Sequence, residues 1–254
     1  PFVWEGEALE VAFTFAEGLE VPEMQEELYP FTYEDVTSSF GRTADGYLLV
    51  EKPAEESPFY LWCDASRKVV YLSGNWSLRL YRFALWLGYG LMTIPYQTLA
   101  IHSSCIVHDD KAVLFLGESG TGKSTHSRLW LSNIDDTELL NDDNPVIRLV
   151  DGEAVVFGTP WSGKTPCYKN DSVPLKAVVR LSQAPHNKIL RNIPLQAYAS
   201  LMPACSCMRW DRTSTDALHK TVEKVISKVA CWHLECLPDE EAARVCCAAV
   251  EVKE

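Results

Sequence analysis

The chain alternates before it winds. Residues 8–16 (ALEVAFTFA), 46–52 (GYLLVEK), 59–64 (FYLWCD) and 68–73 (KVVYLS) alternate apolar and polar side chains or concentrate aromatic and β-branched ones, the pattern of short strands. Residues 77–92 (SLRLYRFALWLGYGLM) then switch to helical spacing, with Leu80, Phe83, Leu87 and Leu91 on one stripe, Ser77 as the expected N-cap and Pro95 just beyond the end. From Leu99 the strands are interleaved with helices. Residues 99–108 (LAIHSSCIVH) and 111–117 (KAVLFLG) read as strands joined by the tight turn Asp109–Asp110, and a helix starts near Lys123. Strands follow at 137–141 (TELLN), 153–158 (EAVVFG) and 175–182 (LKAVVRLS), then helical stretches at 195–202 and 213–230. A strand-like CWHLEC (231–236) and a helix from Pro238 finish the chain. The expectation is an α/β (mixed α+β) protein. Residues 1–98 form a β-rich region ending in a helix, and residues 99–254 a second domain, divided near Thr98 by a change of pattern rather than by a linker.

Size and charge narrow the field. At 254 residues the chain suffices for one large domain or two modest ones. Its 23 basic against 35 acidic residues give a formal charge of −12, a surface that repels nucleic acid and anionic lipid. The most apolar run, 83–94 (FALWLGYGLMTI), is too short for a bilayer span. No secretory signal is evident; the chain begins at Pro1, which leaves its true start open. Nine cysteines, an odd number without scaffold spacing, point to a reducing, cytoplasmic setting. The pairs Cys205/Cys207, Cys231/Cys236 and Cys246/Cys247 lack the two-residue gap of a zinc knuckle, so the reading is core cysteine rather than metal ligand, even with His233 nearby.

The chemistry begins at GESGTGKST, that is Gly117, Glu118, Ser119, Gly120, Thr121, Gly122, Lys123, Ser124 and Thr125. It matches G-x-x-x-x-G-K-[ST] in full, after an apolar strand and before a helix. The three glycines let the backbone curl so that successive N–H groups converge on phosphate oxygens, and the helix aims its positive end at the same anion. Lys123 adds a point charge for the β- and γ-phosphates, and Ser124 offers a hydroxyl to Mg²⁺. The reading is a nucleotide-binding protein.

The two-residue turn makes the strand before the loop an antiparallel neighbour of the loop's own strand. With Asp109 and Asp110 as the turn, His108 faces Lys111, paired numbers sum to 219 and His102 falls opposite Gly117; a three-residue turn sets it opposite Glu118 instead, at the phosphate end either way. An imidazole there can donate to, or take a proton near, a terminal phosphate. His108 and His126 are weaker candidates, at the hairpin turn and on the helix. Asp142 and Asp143 follow the strand TELL as a Walker-B-like pair would: one carboxylate can hold Mg²⁺ while its neighbour accepts the proton of an attacking hydroxyl. Residues 158–164 (GTPWSGK) form a shaped loop whose exposed-looking Trp161 and Lys164 could reach phosphate or substrate. Arg148 and Arg180 are further candidates to stabilise transferred charge.

Over residues 101–147, AIHSSCIVHDDKAVLFLGESGTGKSTHSRLWL…LLNDDNPVI resembles the catalytic domain of HPr serine kinase/phosphorylase, a family with the phosphoenolpyruvate-carboxykinase-like nucleotide-binding fold. The resemblance implies a mixed β-sheet flanked by helices, ATP and Mg²⁺ as cofactors, and phosphorylation of a serine hydroxyl. By the same resemblance His102 lies beside the phosphate, Ser124 and Asp142 near the metal, and Asp143 acts as base. Two departures stand out. Thr125 occupies a position where the family usually has glutamate, and the Arg-Gly signature linked to the phosphorylase reaction has no counterpart, GTPWSGK filling that region. The chain thus looks closer to the HPr-kinase-related proteins of diverse substrate. The leading expectation is an ATP-dependent, Mg²⁺-requiring kinase acting on a hydroxyl of a protein, peptide or small molecule. A nucleotide sensor or assembly module, and an ATPase without acceptor, are the alternatives. Neither nucleic acid nor membrane is an expected partner, and a homo-oligomer is left open.

Overall fold

The computed structural model describes residues 2, 12–15, 19–75, 77–163, 165–207 and 210–251. Within it the chain is mixed α/β and divides into two compact units. Of the described residues, one comprises those within 12–95 together with 207 and 210–215. The other comprises those within 96–206 and 216–251, with residue 2.

In the first unit, β1 (Ala12–Phe15), β2 (Glu26–Tyr33), β3 (Val36–Arg42), β4 (Gly46–Pro53), β5 (Phe59–Asp64) and β6 (Val69–Gly74) form one sheet in the order β1-β6-β5-β4-β3-β2. It is an antiparallel meander except for β1, which lies parallel to β6. Alternation sets which side chains turn inward: Val36 and Phe40, Leu49, Phe59 and Leu61, and Leu72 build its core. The helix α1 (Leu78–Thr93) adds Leu80, Ala84, Leu91 and Met92 to that core, while Phe83 and Leu87 are only half-buried. Ser77 precedes the helix, but its side chain makes no capping hydrogen bond. Strands β2 and β3 escape the sequence reading because Glu26, Glu27, Pro30 and Asp35 mask the alternation Tyr29-Phe31-Tyr33. Of the strand expected at 8–16, only Ala12–Phe15 lies in the described residues. Asp211 ties the segment 207–215 into this unit: Arg42 donates to it at 2.7 Å, and it accepts from the amide of Ser214 at 2.8 Å, in the first turn of α4 (Arg212–Ile226).

The second unit contains β7 (Thr98–Ala100), β8 (Ser104–His108), β9 (Lys111–Leu116), α2 (Lys123–Asn133), β10 (Thr137–Asn141), β11 (Val146–Val150), β12 (Glu153–Phe157), β13 (Ser172–Gln183), β14 (Lys188–Arg191), α3 (Pro194–Leu201), most of α4, β15 (Ala230–Cys236) and α5 (Glu240–Glu251). The strand order is β10-β8-β9-β13-β12-β11-β7, with β15 also on β13 and β14 on β15. The long β13 organises this sheet. Its first residues pair antiparallel with β12, and the remainder runs parallel to β9 on one side and β15 on the other. Ile106, Val113, Phe115, Val179, Leu181 and Leu234 pack beneath Trp130 of α2 and Ala243, Cys246 and Val250 of α5. The helix α5 starts at Glu240, two residues after Pro238, because the Asp239 carboxylate accepts the amide of Ala242 at 2.9 Å.

The β8–β9 hairpin has the expected register, His108 opposite Lys111 through Ser104 opposite Phe115, and both turn aspartates take positive φ (48° and 58°), as a type I′ turn demands. The stretch 99–108 is nevertheless two strands, not one. β7 pairs with β11, β8 with β9 and β10, and residues 101–103 cross between them. Their amides are satisfied outside the hairpin ladder: Ile101 donates to the carbonyl of Pro145 (3.0 Å), His102 to that of Ala204 (2.8 Å) and Ser103 to that of Asp143 (2.9 Å). Consequently the ladder ends at Ser104, and His102 is not paired opposite Gly117. No helix among the described residues is long and apolar enough to cross a membrane.

Candidate functional site

The loop 117–122 leaves the end of β9 and feeds α2. Gly122 takes φ 108° and ψ 21° at the helix N-cap, a left-handed conformation that side chains resist, so glycine is required there. Lys123 folds back over the loop: its ammonium donates to the carbonyls of Gly117 (2.9 Å) and Glu118 (3.3 Å). Thr121 steadies the same curve by donating its hydroxyl to the Glu118 carbonyl at 2.8 Å. Burial lowers the Lys123 pKa, while Asp143 and Asp142 oppose the shift by favouring its charge. Glu118, Ser119 and Gly120 are exposed; Gly117, Thr121, Ser124 and Thr125 are half-buried.

His102 reaches this region although its backbone leaves the ladder. Its Nε2 stands 3.8 Å from Oδ1 of Asp143, an electrostatic neighbour rather than a hydrogen-bond partner. Burial lowers the imidazole pKa, the Lys123 charge lowers it further, and Asp143 pulls the other way; the ring is neutral at pH 7. Asp142 is buried. One carboxylate oxygen accepts from the hydroxyl of Ser104 at 3.0 Å, the other from the amide of Thr165 at 3.3 Å. Ser104 in turn touches Ser127 of α2, oxygen to oxygen 2.6 Å. The two acids thus differ: Asp142 is fixed in a buried network, and Asp143 turns a half-exposed carboxylate toward His102 and Lys123.

Asn141 explains how successive residues at a strand end can serve one site. Fully buried, it accepts the amides of Asp143 and Asn144 on Oδ1, both at 2.9 Å, and donates from Nδ2 to the Thr159 hydroxyl (3.1 Å) and the Trp161 carbonyl (3.0 Å). A single amide therefore staples the acidic turn to the loop 158–163. That loop packs tightly: a Cβ on Gly163 would lie 3.0 Å from the Asp142 carbonyl oxygen and 3.4 Å from Cβ of Asp143.

Other sequence candidates fare differently. Trp161 is half-buried rather than exposed, and its backbone carbonyl is the part held by Asn141. Lys164 lies outside the described residues. Arg180 pairs with Leu116, the last residue of β9 before the loop. Arg148 sits on β11 with its guanidinium 5.7 Å from the ring of Tyr96. His108 is at the hairpin end, within 3.4 Å of the Thr137 hydroxyl. Ser104, Ser127, Thr159 and the stapling role of Asn141 carry no sequence signal: a serine on a strand is unremarkable until the fold sets a carboxylate against it.

Among the described residues no three His, Cys, Asp or Glu side chains gather as a metal cage. Mg²⁺ does not need one; it takes one or two carboxylates and completes its shell with phosphate oxygens and water. The Asp142 carboxylate and the Ser124 hydroxyl are hard oxygen donors of the kind that cation takes. A cavity of about 560 Å³ also borders the loop, lined by Gly120, Thr121, His126, Leu129, Gln183 and Leu237 among others; Lys123, Asp142 and Asp143 are not in its lining.

No family model matches the chain, and no curated protein matches it. Among solved structures it is similar to the HPr(Ser) kinase/phosphatase from Coxiella burnetii, at 12% identity over 59% of this chain and 93% of that one, with a TM-score of 0.35.

Proposed function

We propose that the protein is an ATP-dependent, Mg²⁺-requiring kinase that transfers the γ-phosphoryl group to a hydroxyl. The observation carrying this reading is the half-exposed Asp143 carboxylate, 3.8 Å from His102 and close enough to oppose the Lys123 shift, at the mouth of a G-x-x-x-x-G-K-S loop. A binder needs the loop alone; a base beside it serves transfer. Loop amides and Lys123 hold the phosphate chain, and neutral His102 donates to a terminal oxygen. Asp143 accepts the proton of the incoming hydroxyl while the new O–P bond forms and the bond to the β-phosphate oxygen breaks, ADP departing. Asp142, braced by Ser104 and Thr165, and Ser124 are the residues that would hold Mg²⁺, which neutralises phosphate charge when bound.

The test uses labelled ATP with protein, peptide and small-molecule hydroxyl acceptors. Labelled product from wild type, with Lys123→Ala losing nucleotide binding, is the expected result. Asp143→Asn should bind ATP normally and turn over ~10²–10⁴-fold more slowly. Near-normal turnover in that variant removes Asp143 from the chemistry. Binding without any labelled product makes the protein a sensor, and phosphate release without acceptor makes it an ATPase.

A further inference from the structure

Ser104 and Ser127 are two hydroxyls placed where the fold otherwise sets apolar side chains. Ser104 lies on β8 opposite Phe115 and two residues before Ile106, on the face that packs beneath α2, and it is fully buried. Ser127 lies on the inner side of α2 and is 1% exposed. Hydroxyls this deep need partners within the protein, because water does not reach them. The partners here form a chain with a fixed sense. Ser104 donates its Oγ proton to Oδ1 of Asp142 at 3.0 Å, and the same oxygen stands 2.6 Å from Oγ of Ser127. A hydroxyl has one proton, and that of Ser104 is committed to the carboxylate, so Ser127 is the donor to Ser104. A serine inside a helix commonly returns its proton to the carbonyl one turn back. Ser127 sends its own across the fold instead.

The chain joins three segments distant in sequence. Helix α2 begins at Lys123 and Ser124, so Ser127 sits one turn beyond the loop's cation and hydroxyl. Asp142 follows the last residue of β10, and its second oxygen accepts from the Thr165 amide at 3.3 Å. Its charge is felt at the Lys123 ammonium. Each carboxylate oxygen has one protein donor, and a group with about four lone-pair sites keeps others for a metal.

We propose that Ser127 and Ser104 are positioning residues for Asp142: their one-way hydrogen-bond chain fixes the carboxylate against the helix that carries Lys123 and Ser124, and so sets the affinity of the nucleotide complex for Mg²⁺. The inference rests on the nucleotide reading above. It gives the serines no contact with the nucleotide, whose phosphates bind the loop whether or not the carboxylate is held.

Titration calorimetry of ATP binding in Mg²⁺ and in EDTA reads the two effects separately. Wild type should bind ATP more tightly in Mg²⁺. Ser104→Ala cuts the chain at its centre: the Mg²⁺-dependent gain should fall about tenfold, while affinity in EDTA stays within about twofold of wild type. Ser127→Ala leaves the bond to Asp142 and removes only the hydroxyl behind it, so it should lose about threefold. Because the serines act in series, the double variant should lose no more than Ser104→Ala alone. Ser127→Thr, which keeps a hydroxyl on α2, should retain the wild-type gain. Should Ser104→Ala not fold, the two Ser127 variants decide. A full Mg²⁺ gain in the alanine variants, equal losses in Mg²⁺ and EDTA, losses that add in the double variant, or a threonine variant as weak as the alanine one overturns the positioning role and leaves the nucleotide reading standing. Wild type that binds no ATP, or binds it equally with and without Mg²⁺, overturns both.

Discussion

Asn141→Ala isolates the staple between the acidic turn and the loop 158–163. The alanine removes the shared acceptor of the Asp143 and Asn144 amides and the donor to Thr159 and Trp161. An orphaned buried N–H costs about 1–3 kcal/mol, and two are created here. Both residues are half-buried, so water reaches part of the gap and the lower end applies, giving a loss of about 2–3 kcal/mol. For a chain of this size that corresponds to a fall in Tm of about 5–10 °C in the transition of the second unit. Scanning calorimetry reads the total. Amide exchange on peptides spanning residues 141–147 and 159–163 reads the location, and both peptides should exchange faster together. Asn141→Asp is the informative partner: it keeps the acceptor for the two amides but turns a carboxylate oxygen on the Trp161 carbonyl and adds charge beside Asp142 and Asp143. It should therefore protect 141–147 better than alanine does while still freeing 159–163. A Tm within about 2 °C of wild type together with unchanged exchange in both peptides would refute the staple.

Other outcomes follow from the titrating groups and one buried ion pair. His126, held near 4 by burial against an unfolded value of 6.5, makes the second unit fully stable above pH 6.5 and costs it about 3 kcal/mol as pH falls toward 4. Glu51 behaves oppositely: burial raises its carboxyl to about 7, the hydrogen bond from Tyr33 opposing, so its contribution is present below pH 4.5 and is lost as pH rises through 7. Unit-resolved amide exchange between pH 5 and 7 should show the His126 and Glu51 contributions sloping in opposite directions, and Glu51→Gln should abolish that residue's slope in the first unit; parallel slopes that persist in that variant would contradict the assignment. Burial pushes Asp211 up, yet the bonds from Ser214 and Arg42 outweigh it and hold it near 2. Asp211→Ala should cost the first unit about 3–5 kcal/mol, because it strips the carboxylate from Arg42 and from the buried Arg67 guanidinium 3.9 Å away. A urea midpoint unchanged by that substitution would contradict it.

Local rules made much of this protein readable in advance. The glycines and Lys123 of the loop, the positive-φ Asp109–Asp110 turn and the register it sets, and the helices around Leu80 and Lys123 depend on neighbours a few residues apart, where spacing and backbone preference decide. What lay beyond reach depends on contacts between distant segments. Counting along the hairpin set His102 opposite Gly117, but the amides of residues 101–103 find better partners at Pro145, Ala204 and Asp143, so the strand leaves its ladder. The imidazole comes to the loop through that crossing and not through the register. Likewise Asp142 and Asp143 look alike in sequence; one became a buried, hydrogen-bonded acid and the other an open one because Ser104 and Thr165 close on the first alone. Chain order carries hydrophobic period, turn chemistry and motif. Which polar atom meets which across the fold is settled by competition among many partners for a few buried groups, and only the assembled structure resolves that contest.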